Sequence, residues 1–305
     1  MTTPRLSILI AAHNCGEYLT GTLDSIVASL GDALSRTEIV IINDDSTDRT
    51  QAIIDNYALQ IASLRHFHTR YRNVGKVRNY AVQQSRGDYI LMVDGDDRLL
   101  PGALRERLNT LDLHKPDILL SKIIEVRPES PQPQWLPGKF TELSRHNAIE
   151  RFLIHRDFQA HFIGQFFIRA LLQQNPFPDF ICYEDTWLFP LLLTKSNKTL
   201  FTYGGFYLYY KHPNSLSTRI DAPKIACLIA ATENMDKVLP AQFEHLITCH
   251  WLNIANRHHA VLRGTSQGSQ VRERIARVSL TRFLLNGKIR TSYKRKMLTV
   301  RKRDL

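Results

Sequence analysis

Residues Ile90-Leu91-Met92-Val93-Asp94-Gly95-Asp96-Asp97 carry four apolar side chains straight into three carboxylates within four positions. An apolar run of this length reads as a strand buried on both faces, the kind found in parallel sheets with helices on either side. In such sheets ligands bind beyond the carboxyl ends of the strands. Asp94 and Asp96, separated by Gly95, can turn their oxygens toward one point, which suits a hard divalent cation that keeps positions open for phosphate. The same residue types also make ordinary solvated turns.

Working outward, the first hundred residues alternate strand and helix patterns, the signature of an α/β protein with a mostly parallel sheet. Leu6 to Ala12 reads as a strand, followed by Leu19, Leu23, Ile26 and Leu30 at helical spacing. Glu38 to Ile42 is a second strand, with Ile53, Ile54 and Tyr57 on one helical face after it. A strand near 64–68, a helix over 74–84 and strands over 89–93 and 117–126 complete the series. Pro128, Pro131, Pro133 and Pro137 exclude regular helix or central strand between 127 and 138. Beyond them the patterns predict helices over 147–156 and 168–174, a strand over 199–210, and helices from 222 onward.

With 305 residues and 43% hydrophobic content the chain can bury a full core. No run approaches the roughly 20 apolar residues of a membrane-spanning helix, and no signal-peptide pattern opens the sequence, so secretion is not expected. The four cysteines, Cys15, Cys182, Cys227 and Cys249, have neither zinc nor disulfide-framework spacing and fit a reducing cytoplasm. Much of the net charge of +11 sits at one end: Thr281 to Leu305 holds nine basic residues against the single acid Asp304. Interleaved with Phe283, Leu284, Leu285, Tyr293, Met297 and Leu298, this tail can approach an anionic membrane surface, each cation near it contributing about 1 kcal/mol. A solvated tail is the plainer reading, and nucleic acid is not an expected partner.

Three more segments fall at strand ends or helix starts on the same edge. Ala11-Ala12-His13-Asn14 ends the first strand, Asn43-Asp44-Asp45-Ser46-Thr47-Asp48 ends the second, and Asn73-Val74-Gly75-Lys76-Val77-Arg78-Asn79 opens a helix. Asp44 can accept the imide N–H of a uracil ring while the loop backbone contacts base and ribose. Lys76 and Arg78 can meet phosphate oxygens.

Together these segments resemble the family 2 glycosyltransferases, inverting enzymes of the GT-A fold, over about residues 5 to 217. Ala11 to Asn14 is similar to the family's first strand-end motif, with Ala12 where Pro is usual. Ile41 to Asp48 resembles its VDDGSTD segment, with Asp44 matching the uridine-binding acid and Asp45 in place of Gly. Asn73 to Asn79 resembles its N-x-G-x-x-x-A-R-N helix start, and Asp94 to Asp97 its DxD signature. The resemblance implies Asp96 as a metal ligand and Asp94 as a metal or ribose contact. Tyr183-Glu184-Asp185 is similar to the ED motif, which implies Asp185 as catalytic base, with Glu184 as the fallback. Tyr209 to Ser217, holding Lys211, His212 and Ser215, looks like the family's Y-R-x-H-x-x-S-x-S loop over the diphosphate, with Lys211 replacing Arg.

The implied protein is a glycosyltransferase that uses Mn2+ or Mg2+ and moves a sugar from a UDP-sugar to a glycan or glycolipid in bacterial capsule, O-antigen or lipopolysaccharide core synthesis. It would act on the cytoplasmic side, peripheral to the inner face of the membrane. The expected organisation is a nucleotide-sugar-binding half over 1–125, an acceptor-binding and catalytic half over 126–220, and a helical region with the basic tail over 221–305. The alternatives are a nucleotidyltransferase acting on a sugar phosphate, for which a Gly-rich loop near the first strand is missing, and a non-catalytic basic binding protein.

Other features carry less. His66 with His68, and His258 with His259, lack a third ligand at metal spacing and read as surface histidines. Cys15 has no visible activating base. Among the aromatics around Trp187, most read as core, and Trp187 itself is the candidate to stack on an acceptor sugar.

Overall fold

A computed structural model describes residues 3–127, 133–211 and 221–302. The elements in order are β1 (Leu6–Ala12), α1 (Leu19–Leu30), β2 (Thr37–Asp44), α2 (Thr50–Gln60), β3 (Leu64–Thr69), α3 (Val74–Gln84), β4 (Tyr89–Asp94), β5 (Arg98–Leu99), α4 (Ala103–His114) and β6 (Ile118–Val126). Then follow β7 (Phe140–Leu143), α5 (Arg145–Leu153), β8 (Phe166–Ile168), α6 (Arg169–Gln174), α7 (Glu184–Lys195) and β9 (Thr199–Tyr210). The chain continues with α8 (Ala222–Val238), α9 (Glu244–Arg257), α10 (His259–Leu262), α11 (Ser266–Ala276), α12 (Leu280–Leu285) and α13 (Thr291–Val300).

One sheet runs β3-β2-β1-β4-β8-β6-β9-β5, with β7 also on β9. β1 lies parallel between β2 and β4, and β3 extends this parallel half. Alternation explains why the half is stable: Ile8, Ile10, Ile39, Ile41 and Leu91 bury into the core on one face, and Leu9, Val40, Ile42, Ile90 and Met92 into the other. The proline-containing stretch lies between β6 and β7, and the sheet continues across it, because β8 inserts antiparallel between β4 and β6.

Register sets the site. Ala11 pairs with Asp94, Ala12 with Asn43 and Asp44 with Thr69, so the ends of four strands finish level on one edge.

The helix over 74–84 and the strand over 199–210 lie where the pattern puts them. The helix expected over 147–156 begins at Arg145 instead, because the Ser144 hydroxyl accepts the Asn147 N–H as an N-cap. β8 was hidden in sequence, since Phe166-Phe167-Ile168 is three residues fused to the start of a helical pattern.

Part of the apolar set of the basic tail is packed into the protein. Phe283, Met297 and Val300 are buried at 0%, 0% and 2% exposure, so α12 and α13 are pinned into the helical core and those side chains cannot insert elsewhere. Only Leu285 and Leu298 of the tail's apolar set stand out as exposed. Several of its cations are also tied down: Lys288 pairs with Glu150 at 3.0 Å, and Lys296 Nζ donates to Asn253 Oδ1 at 2.8 Å.

Candidate active site

The level strand ends open into a cavity of about 1480 Å3 between the sheet edge and helices α7, α8 and α9. Its floor is a set of loops stitched to one another. His13 Nδ1 donates to the Asp44 carbonyl at 2.6 Å, and Asn14 Oδ1 accepts the Thr47 N–H at 2.8 Å. Asp45 stands in the left-handed region, φ 58, which Gly enters freely and Asp more readily than most residues. An Asp thus preserves the turn that Gly makes in the resembling motif. Its carboxylate accepts from Arg72 Nη2 at 2.6 Å, and this bond, with Arg70 adding to it, holds the group below the usual carboxylate range.

Asp44, 5% exposed, spends Oδ1 on the Thr69 hydroxyl at 2.8 Å and the Tyr71 N–H at 2.6 Å. Among the described residues Oδ2 has no partner, so one oxygen remains for a ligand.

The turn after β4 is anchored from below. Asp97, fully buried, accepts the Tyr207 hydroxyl at 2.6 Å and the Tyr210 N–H at 2.9 Å, while the Tyr207 oxygen accepts the Asp94 N–H at 3.0 Å. Burial, reinforced by Asp94, pushes the Asp97 carboxyl up to about 8. With Asp97 occupied in this way, Asp94 and Asp96 are the carboxylates of the turn that line the cavity. Gly95 is required between them: a Cβ there would lie 2.7 Å from Cys15 Sγ.

Opposite, Tyr183 at φ 63 turns the chain so that Glu184 and Asp185 form the first turn of α7. Carboxylates in a first helical turn are favoured by the N–H groups exposed there. Arg78 Nη1 donates to Glu184 Oε1 at 2.7 Å and Nη2 lies 3.6 Å from Asp94 Oδ1, so one guanidinium joins the two acidic motifs. Burial alone would lower the Arg78 pKa, but Glu184, Asp94 and Asp185 outweigh it and the net shift is upward. Burial raises the carboxyls of Glu184 and Asp185, with Arg78 opposing in both. Asp185 Oδ1 accepts the Thr186 N–H at 2.6 Å, and Oδ2 has no hydrogen bond among the described residues.

Of the residues singled out in sequence, Ala11, His13, Asn14, Asp44, Arg78, Asp94, Gly95, Asp96, Glu184 and Asp185 line this one cavity. Lys76 does not: it pairs with Asp179 at 2.7 Å, because residues two apart on a helix point about 200° apart and Arg78 faces inward. Lys211 is exposed and pairs with Glu125 at 2.9 Å, away from the lining. His212 and Ser215 lie outside the described residues. Trp187 is no acceptor platform in this structure, since the same two-residue spacing from Asp185 turns it toward Phe180 and the core. His258, read as a surface residue, lines the cavity instead. Cys15 is buried and its thiol is pushed up to about 11 by burial, which argues against a nucleophile.

Sequence reasoning missed Arg72, His155, His161, Lys224 and Arg257, all in the lining. Arg72 sits one position before a motif already noted. The others have no local signature and reach the cavity only through tertiary packing.

In Staphylococcus aureus, the protein named poly(ribitol-phosphate) beta-N-acetylglucosaminyltransferase TarS is 30% identical over 120 residues, covering 39% of this chain and 21% of TarS. An uncharacterized glycosyltransferase of Mycoplasma pneumoniae, the MG060 homolog, is 26% identical over 225 residues, covering 70% of this chain and 71% of that protein. For the first relatives, including a Mycoplasma pneumoniae MG025 homolog, the match spans a third or less of their length. The crystal structure of S. aureus TarS 1-349 in complex with UDP-GlcNAc superposes with a TM-score of 0.67 at 20% identity, covering 98% of this chain and 90% of that one. The fold is accordingly GT-A, with the helices from α8 onward appended. The family model described as glycosyl transferase family 2 matches residues 7–174, more than half of the chain, and the chain belongs to that family.

Proposed function

We propose that this protein is an inverting, metal-assisted glycosyltransferase that moves a sugar from a UDP-sugar to a hydroxyl of a glycan or glycolipid acceptor. The observation that carries the reading is the meeting, in one cavity, of a half-free Asp44, the Asp94–Asp96 turn and the Asp185 carboxylate. The TarS structures with UDP-GlcNAc and with UDP support a uridine nucleotide as the donor.

Asp44 Oδ2 accepts the uracil imide N–H, and the stitched loops of His13 and Asn14 shape the base site. The donor set of Asp94 and Asp96 fits a divalent cation, since both are hard carboxylates from one turn and both line the cavity. A Mg2+ or Mn2+ ion would be held by Asp94 and Asp96 and would supply positive charge against the charge that grows on the departing diphosphate. Arg78 keeps Asp94 and Glu184 in place. Asp185 takes the proton from the acceptor hydroxyl through Oδ2, and attack from the side opposite the diphosphate inverts the anomeric carbon. A desolvated carboxylate with a raised pKa is the better base for that transfer.

Among the described residues no helix is long and apolar enough to cross a membrane. We assign the protein to the cytoplasmic membrane surface, held by the cations around exposed Leu285 and Leu298, in assembly of a bacterial surface polysaccharide. The experiment is a panel of nucleotide sugars incubated with the protein and Mg2+ or Mn2+, scored for UDP release. Asp185→Asn lowers turnover by about 100-fold or more while UDP still binds, whereas Asp96→Ala weakens both. Full turnover in Asp185→Asn would refute the base.

A further inference from the structure

The cavity is electrically two-sided. Every carboxylate in its lining comes from the sheet edge and the start of α7, or from Glu17 before α1. The far end, between the loop after α5 and helices α8 and α9, contributes Lys224, Arg257, His155, His250 and His258 to the lining and no acid.

Arg257 is the last residue of α9, exposed to the cavity and near enough to Tyr183 and His155 to act on both electrostatically. A cation at a helix C-terminus is favourable without any ligand, so what discriminates is its setting, a cavity end lined by cations and histidines and by no acid. Arg257 has no carboxylate partner among the described residues.

The histidines add donors rather than charge. Burial pushes His250 down to about 4 and lowers His155 as well, so both are neutral near pH 7. His250 Nε2 is committed to the Leu153 carbonyl at 3.0 Å, and His155 remains as an N–H donor in the lining. Donors on a loop and on two different helices approach from different sides. That spread suits a tetrahedral oxyanion better than a planar carboxylate, which a single guanidinium fork satisfies.

From this we propose that the acceptor is anionic and that the far end of the cavity binds its phosphate group, with Arg257 as the main contact and Lys224 and His155 beside it. The proposal rests on the glycosyltransferase reading, and fixes what sits across from the donor. With the phosphate held there, an acceptor hydroxyl can face Asp185 across the same cavity. The shared chemistry is a phosphate ester, free or as a lipid headgroup.

The test uses the whole chain saturated with UDP. Binding of glycerol 3-phosphate, glycerol and glucuronate is measured by calorimetry, and sedimentation is measured with vesicles of phosphatidylglycerol or of phosphatidylcholine alone. A preference of about tenfold or more for a phosphate ester over its neutral counterpart is expected. Arg257→Gln should lose about tenfold of that affinity and Arg257→Lys less, with circular dichroism melting reporting that both fold. Preference for glycerol 3-phosphate or for phosphatidylglycerol supports the subsite and names the source. Equal binding of phosphate and neutral ligands, glucuronate binding as tightly as phosphate, or an undiminished Arg257→Gln overturns it. Failure of the wild type to bind UDP would instead overturn the donor reading, and the anion titration without UDP then decides the subsite alone.

Discussion

Arg78 Nη1 and Glu184 Oε1 meet at 2.7 Å although 106 residues separate them, and the side chains are only 11% and 8% exposed. The pair fastens the helix that opens one motif to the helix that opens another, and it fixes how far Asp94 stands from Asp185.

Arg78→Ala leaves Glu184 buried beside Asp185 without its cation. Breaking a buried pair from one side costs about 3–5 kcal/mol. We expect a fall of that order in urea unfolding, and partial recovery in Arg78→Ala with Glu184→Gln. Additive losses in the double variant would show that the pair is not coupled.

Stability should also decline below neutral pH through His250. Its folded pKa of about 4 lies below the ordinary 6.5 because of burial and the neighbouring His155. Between those values the unfolded chain binds the proton and the folded chain does not, so stability falls as pH drops from about 6.5 to about 4 and this contribution then levels off. Chemical denaturation across that window should show a shallower decline in His250→Gln than in the wild type.

Much of this site is legible because its parts are local. The Asp94–Asp97 turn, the Asp44 loop and the Glu184–Asp185 helix start each announce themselves by a strand or helix end and a cluster of polar residues. What is not legible depends on facing. Lys76 and Arg78 look equivalent in a string of letters, yet helical geometry sends one to Asp179 and the other into the cavity. The Asp97 pairing with Tyr207 spans 110 residues, and Arg257 reaches the site only because α9 packs on α8 and α11. The tail is legible only in part for a related reason: its charge pattern is visible in sequence, but the burial of Phe283 and Met297 is a property of the neighbours they meet.

That last point is measurable. Phe283→Ala should cost about 3–5 kcal/mol and Met297→Ala about 2–5 kcal/mol, while Leu285→Ala, 79% exposed, should change stability by no more than about 0.5 kcal/mol. Thermal melts of the three variants side by side would separate a packed terminus from a loose one.

Gly95→Ala sets a Cβ 2.7 Å from Cys15 Sγ and 3.2 Å from its Cβ. Overpacking of this kind costs about 1–3 kcal/mol, and here it displaces the carboxylate turn. UDP release should fall and melting temperature should drop. Cys15→Ala removes the closer contact but not the 3.2 Å one, so the double variant should recover in part.

The bonds from Asp97 to Tyr207 and to the Tyr210 backbone have a mechanical corollary. Strand β9 delivers the chain to residue 211 with its final rung riveted beneath the acidic turn after β4. A tug on the chain leaving Tyr210 is therefore passed to Asp94 through three hydrogen bonds in series, Tyr210 to Asp97, Asp97 to Tyr207 and Tyr207 to Asp94, and a load settling on Asp94 is passed back to the exit of the strand. The two behave as opposite arms of one lever whose fulcrum is a phenol.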